Sequence, residues 1–347
     1  MSSLYPLPVS SIKRLTPSAV GVGFEIPENL KSLFSYSSGQ YLTLGATIND
    51  EVVRRSYSLS STPKENKLIV GIKKIEGGRF SSFANDILKV GDVIDVAPPE
   101  GRFIFSPTDK KQHLLLIAAG SGITPVFSIL KSALEDSSET SVTLIYGNKT
   151  PDESIFKSEL EKLENTFKNR FNVIWVYSQS NEEKSLFGRI DESTIHFTLN
   201  KIDLLPDAVY ICGPEGMILT AKDTLVAKLV PEKAIHFELF KMTKPKSLAT
   251  KENDSTVTLS ITSDEETQKI ELVGNKTILE AALQHKIDVP YSCQGGVCCS
   301  CIARVTEGAA VMESNQVLTD DEVEEGLILT CQAVPTTSKI AVDYDDV

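Results

Sequence analysis

Four of the chain's six cysteines fall within nine residues, CQGGVCCSC from Cys293 to Cys301, and this stretch restricts the possible fold most sharply. A disulfide framework would explain such density in a small secreted domain, but the chain has 347 residues. Its opening, MSSLYPLPVSSIKRLTP, has no apolar core of the kind a signal peptide needs. The longest apolar run, LLLIAAGSGITPVFSIL, is interrupted by Gly, Ser, Thr and Pro, which a membrane span would not tolerate so freely. The expectation is a cytoplasmic protein with no membrane contact, whose clustered thiols hold metal or carry redox chemistry.

Spacing narrows the metal. Cys293, Cys298 and Cys301 stand at C-x4-C-x2-C, and Cys331 follows after 29 residues. Four thiolates so spaced suit a [2Fe–2S] cluster, whose sulfides require a close wrap of backbone. Gly295 and Gly296 permit that approach. Structural zinc is the alternative, but zinc usually takes two C-x2-C knuckles and only one is present. Cys299 falls outside this spacing and is assigned no role in it.

Charge separates this region from the rest. The net charge is −12, and residues 251–347, with six basic and eighteen acidic side chains, carry all of it. Such an asymmetry argues against nucleic acid and for a module that meets basic protein surfaces. KMTKPKSLATKEND is polar and aperiodic, a linker over 241–254. Upstream, YLTLGATI and KLIVGIKKI read as short strands between turns, predicting an antiparallel β-barrel over 1–106. From 107 to 240, LLLIA, VTLIYG, FNVIWVYS and AVYICG alternate with helical patterns such as ESIFKSELEKLEN, predicting an α/β domain with a parallel sheet. Residues 255–347 form the α+β cysteine module, with a strand at STVTLSIT and a helix at TILEAALQHKI.

Each upstream domain carries a binding pattern. In RRSYSLSS, an arginine on a strand offers a planar fork to pyrophosphate. In GIKKIEGGRFSS, Gly78 and Ser81 frame a turn that can present N–H groups to phosphate. In LLLIAAGSGITPVFSIL, strand residues 114–118 run into a glycine loop and then a helix expected to open at Pro125. Gly120 and Gly122 let that loop approach a dinucleotide pyrophosphate.

Taken in order, these motifs resemble the ferredoxin–NADP reductase superfamily, and the C-terminal part resembles a plant-type ferredoxin of the β-grasp kind. The arrangement is similar to oxygenase reductases, and the run from Lys73 to Ser81 most resembles reductase subunits of the phenylacetyl-CoA epoxygenase type. The resemblance implies FAD held by Arg55, Tyr57, Ser58, Ile72, Lys73, Gly78, Arg79, Phe80, Ser81, Thr124 and Phe240. It implies NAD(P)H at Gly120, Gly122, Thr124, Pro125, Cys212, Gly213 and Pro214, with Ser58 and Cys212 closest to hydride transfer. It implies the cluster on Cys293, Cys298, Cys301 and Cys331. The implied activity is an NAD(P)H-dependent oxidoreductase passing electrons through FAD and [2Fe–2S] to an oxygenase component or other one-electron acceptor protein. Two alternatives stay open: an FMN-dependent reductase of the phthalate dioxygenase type, and a zinc-binding adaptor without flavin. Lys149 favours NADPH and Gln179 disfavours it, leaving the donor undecided.

Overall fold

The computed structural model describes residues 4–240 and 256–347. They fall into two compact units, Leu4–Phe240 and the C-terminal residues. The expected linker, 241–254, lies outside the described residues.

The first unit begins with six antiparallel strands, β1 (Tyr5–Thr16), β2 (Ala19–Phe24), β3 (Tyr41–Ile48), β4 (Glu51–Ser58), β5 (Leu68–Lys73) and β6 (Val93–Val96), in the order β4-β3-β6-β1-β2-β5. An isolated bridge from Leu59 to Val70 joins the outer strands, and the Ser60 N–H donates to the Ile69 carbonyl at 2.7 Å. The barrel therefore closes. Its interior holds Leu7, Val22, Leu42, Leu44, Val70 and Ile72, and helix α1 (Arg79–Asp86) adds Phe80 and Ala84 to it.

The expected boundary at 106/107 falls in the segment between β6 and β7 (Gln112–Ala119), which starts the second sheet. The chain continues through α2 (Ile123–Asp136), β8 (Thr140–Asn148), α3 (Lys157–Thr166), β9 (Phe171–Tyr177), β10 (Ser185–Phe187), α4 (Glu192–Ile202), β11 (Ala208–Gly213), α5 (Glu215–Ala227) and β12 (Ile235–Leu239). All pairs are parallel, in the order β10-β9-β8-β7-β11-β12. Strand order reverses between β7 and β11, so the crevice beyond their carboxyl ends is where such a sheet binds a ligand. Two helix starts differ from expectation. Helix α2 opens at Ile123, because proline is compatible with a first turn. Helix α3 opens only at Lys157, because Phe156 is left-handed (φ 62°) and stacks on Phe127 at 4.4 Å.

Helix α2 fixes the barrel to this sheet. Eleven of its fourteen residues are buried, so it has no solvent face to spare. Ser128 Oγ donates to the Ser61 carbonyl at 2.6 Å, Ser132 Oγ meets Ser38 Oγ at 2.6 Å, and Lys131 pairs with Glu65 at 2.5 Å.

The second unit is a mixed sheet, β14-β13-β19-β15-β17, made by β13 (Thr256–Ser263), β14 (Glu266–Val273), β15 (Ile302–Glu307), β17 (Leu327–Leu329) and β19 (Lys339–Asp343). Helix α6 (Ile278–Gln284) buries Ile278, Leu279, Ala281 and Ala282 in its core, and its start is fixed by a capping box between Thr277 and Glu280. A two-stranded ribbon, β16 (Ala310–Met312) with β18 (Ala333–Pro335), and a short acidic helix, α7 (Asp320–Glu324), complete it.

A Cβ on Gly122 would lie 2.1 Å from the Cys212 carbonyl oxygen, a backbone atom that cannot swing aside. Gly122→Ala should therefore cost about 1–3 kcal/mol in urea unfolding through forced backbone displacement. Gly216, with open space around its Cβ position, is the control: Gly216→Ala should leave stability unchanged or raised by less than about 1 kcal/mol.

Candidate functional site: a flavin and nucleotide crevice and a thiol cluster

In the first unit, Ser58, Lys73, Gly122, Thr124 and Cys212 have contacts at the seam between barrel and sheet. Gly120 takes a left-handed φ of 55°, and Gly120–Gly122 form a tight turn into α2. Thr124 Oγ1 returns a hydrogen bond to the Ser121 carbonyl at 2.9 Å. Its methyl group occupies the space that a side chain at Gly71 on β5 would need, 2.5 Å from the ideal Cβ. The glycine loop thus rests directly on the barrel. Opposite, Gly213 and Pro214 lead into α5, whose N-terminus adds a second favourable position for negative charge.

On the barrel, Arg55 is exposed, with its guanidinium bonded to the Arg54 carbonyl at 2.6 Å. Tyr57 is half-buried, its ring 5.6 Å from Phe80. Burial holds its hydroxyl far above the usual phenol range, with Arg55 opposing, so it stays neutral. The Gly78–Ser81 turn is internally braced: Ser81 Oγ accepts from the Ile75 N–H at 3.2 Å and donates to the Gly78 carbonyl at 3.3 Å. The side chains of Ile72 and Phe80 face the barrel core, so these positions can offer a ligand only their main chain. Arg79 turns away to Glu51 (2.5 Å) and the Ile48 carbonyl (3.0 Å), and Lys73 reaches Glu153 at 3.4 Å. Phe240, 40% exposed, is the last residue of the unit. A groove of about 380 Å³ opens along the same strands beside Arg102, Tyr210 and His236, and contains none of the expected cofactor residues.

One functional candidate was not expected. Glu238 on β12 pairs in register with Cys212 on β11, and Ser58 Oγ of the barrel donates to its Oε2 at 3.3 Å. Burial pushes the Glu238 carboxyl up to about 8, with the Ser58 hydrogen bond opposing. Cys212 is completely enclosed, and burial together with Glu238 raises its thiol well above the ordinary range. The thiol packs into the core, while beside it Gly213 is half-buried and Pro214 exposed. Ser58, Cys212 and Glu238 thus form one group spanning the seam. A carboxyl with a value near neutrality can hold or release a proton there.

In the second unit, the cysteine loop folds as its glycines suggested. Gly296 is left-handed (φ 73°), and so is Gln294 (φ 53°). The Gly295 N–H donates to Cys293 Sγ at 3.3 Å. Cys298 Sγ lies 3.1 Å from Cys293 Sγ, Cys293 also meets Cys331, and Cys301 meets Cys331. Cys298, Cys301 and Cys331 are almost wholly buried. Hydrogen bonds from Cys298, then Cys331, with the Gly295 and Val297 N–H groups, hold the Cys293 thiol well below its usual value, while the same sharing raises Cys298 and Cys331. Among the described residues, no three His, Cys, Asp or Glu side chains converge on one ion position. The four thiols instead form one contacting series, 298 to 293 to 331 to 301, converging on a single shared site. Tyr344 braces them from beneath through Thr330 Oγ1 (2.8 Å), which donates to the Cys301 carbonyl at 3.0 Å.

The Glu238 carboxyl is raised above its unfolded value, so its stabilising contribution is present at low pH and lost as pH rises through about 8. Flavin-depleted protein should thus lose on the order of 2–4 kcal/mol between pH 5 and 9 relative to Glu238→Gln. Parallel pH dependences of urea midpoints for the two proteins would contradict the burial.

Comparison with known proteins matches all three domains. Residues 6–105 match the family described as Oxidoreductase FAD-binding domain, 116–223 the Oxidoreductase NAD-binding domain, and 261–336 the 2Fe-2S iron-sulfur cluster binding domain. The chain is 35% identical to one of the subunits of the 1,2-phenylacetyl-CoA epoxidase of Escherichia coli (strain K12), over 99% of both chains. It is 31% identical to the ferredoxin reductase component of 3-ketosteroid-9-alpha-monooxygenase of Rhodococcus rhodochrous, over 97% of this chain and 96% of the relative. The solved structure of phthalate dioxygenase reductase shares the fold with a TM-score of 0.63 at 23% identity, over 98% of each chain. These matches decide against a zinc adaptor and for FAD, NAD and iron–sulfur. The chain belongs to the ferredoxin–NADP reductase superfamily, among the oxygenase reductases that carry a C-terminal plant-type [2Fe–2S] domain.

Proposed function

We propose that this reductase supplies single electrons to the oxygenase component of a complex of the phenylacetyl-CoA epoxygenase type. The observation that carries the reading is 35% identity to a component of such an epoxidase, sustained over 99% of both chains and so through all three domains. Bound FAD and [2Fe–2S] supply the redox chemistry, converting a two-electron hydride donation into one-electron deliveries.

The chain's own residues bind and orient. Arg55 and the Gly78–Ser81 turn hold the flavin pyrophosphate, Tyr57 lies beside the ring system and Phe240 covers it. Gly120 and Gly122 admit the pyrophosphate of NAD(P)H to the start of α2. Ser58 and Glu238 fix the polarity of the wall where nicotinamide and flavin meet. Pro214 and Gly213 shape the nicotinamide side, with Cys212 setting the packing behind them. Cys293, Cys298, Cys301 and Cys331 ligate the irons. Among the described residues, no helix is long and apolar enough to cross a membrane.

The partner surface is read from charge. Asp320, Asp321, Glu324 and Glu325 crowd around α7, while Glu322 is committed to the capping box with Thr319. These charges suit a basic face on the oxygenase.

Two outcomes follow. Cys299→Ser should keep full iron, whereas serine at any of the four ligand positions should lose the cluster. Cys331→Ser should still accept hydride at its flavin and reduce ferricyanide, yet fail to reduce an oxygenase. Iron analysis and stopped-flow absorbance check both, and flavin reduction lost together with the cluster in folded protein would contradict the order of transfer. Secondly, replacing Asp320, Asp321, Glu324 and Glu325 by their amides should slow oxygenase reduction several-fold at low salt, where charges interact beyond about 10 Å. The step within the chain should be unaffected, since both stations are covalently joined. A partner rate independent of salt and of these substitutions would rule out steering.

A further inference from the structure

Gln332 follows the last cysteine ligand and is half-buried beside it. Its Nε2 lies 3.0 Å from the Cys331 carbonyl oxygen, 3.4 Å from the Gln294 carbonyl oxygen and 3.6 Å from Cys331 Sγ. All three neighbours are acceptors, which fixes the amide with its NH2 group toward the thiols. The side chain is also held in place sterically. A Cβ on Gly296 would lie 3.0 Å from Gln332 Cγ, so the glycine of the cysteine loop makes room for this residue. The Gly295 N–H donates to Cys293 Sγ from the backbone, whereas the donor to Cys331 Sγ is a side chain, and a side chain can be substituted.

We propose that Gln332 is a positioning residue for the electron-exit station, whose amide N–H donates to the Cys331 thiolate and raises the reduction potential of the cluster. The reasoning is electrostatic. Reduction adds a negative charge that is shared with the ligand sulfurs. A donor aimed at one of them stabilises the reduced form more than the oxidised form, so hydrogen bonds to sulfur raise the potential. The second bond, to the Gln294 carbonyl, ties the donor to the left-handed turn that carries Cys293. The amide thereby couples the two ends of the binding loop. Its effect on function is a stronger pull of electrons from the flavin.

The proposal rests on Cys331 being a cluster ligand. The test uses full-length holoprotein with wild-type, Gln332→Leu and Gln332→Glu chains, read by potentiometric titration of the reduced-cluster EPR signal, with the flavin potential as internal reference. Leucine keeps the bulk and removes the donor. It should lower the reduction equilibrium roughly tenfold, about 59 mV for one electron. Glutamate keeps the shape and replaces the donor by a charge of the wrong sign, so its potential should fall further. The flavin potential should not move in either variant. An intact EPR signal at wild-type potential in Gln332→Glu would overturn the proposal and leave Gln332 as a loop brace. Should Gln332→Leu fail to hold the cluster, the isosteric Gln332→Glu decides alone, and its loss of the cluster as well would equally make the residue a brace. Absence of the [2Fe–2S] signal from wild-type protein would instead defeat the ligand assignment itself.

Discussion

The contact between the glycine loop and its two neighbours governs the rest of this structure. Gly122 lies so close to the Cys212 carbonyl, and Gly71 so close to Thr124, that neither position has room for a side chain. These approaches set the depth of the crevice on both sides, the barrel on one and β11 on the other. Helix α2 then holds the arrangement, with buried apolar residues toward the sheet and serine contacts toward the barrel. Each of those hydrogen bonds contributes only about 1 kcal/mol, but their geometry leaves little freedom for sliding. Two halves with separate sheets thus behave as one compact unit.

At this seam the group of Ser58, Cys212 and Glu238 is formed from three different strands. Its chemistry comes from burial: a carboxyl held near neutrality beside a hydroxyl and an enclosed thiol. A free carboxylate at this place would be ionised and hydrated, and would offer the crevice a fixed charge. The C-terminal unit follows a different logic. Its cluster site is built locally from the 293–301 loop and Cys331, and braced from below by Tyr344 and Thr330. Little of that depends on long-range strand pairing, which suits a module that recurs on other chains.

This contrast explains what the sequence alone could disclose. The convergence of Cys293, Cys298, Cys301 and Cys331 was legible in their spacing. The tight turn into α2 was legible because a buried strand running through Gly-x-Gly into a helix leaves room for no longer connection. The alternation of strands and helices in the middle module followed from periodicity, whereas the late start of α3 did not, since a left-handed Phe156 has no sequence signature of its own. Glu238 was invisible for a related reason. In HFELF it is an ordinary acidic residue on a strand, and only the parallel pairing of β12 with β11 brings it opposite Cys212. The available signal was topological: a strand closing the sheet beside the Cys-Gly-Pro turn must place some side chain there. The buried positions of Ile72 and Phe80 were equally hidden, because a motif specifies main-chain contacts and side-chain contacts alike without separating them.

The central claim is that one chain holds a flavin in the seam of the first unit and a two-iron cluster in the second. The direct measurement is a cofactor inventory of a single purified sample: its visible spectrum, the flavin released on denaturation, and its iron, sulfide and zinc. The account predicts FAD equimolar with protein, with iron and acid-labile sulfide each near two per chain as a [2Fe–2S] cluster demands. Release of FMN, or zinc in place of iron at the four thiols, would contradict it.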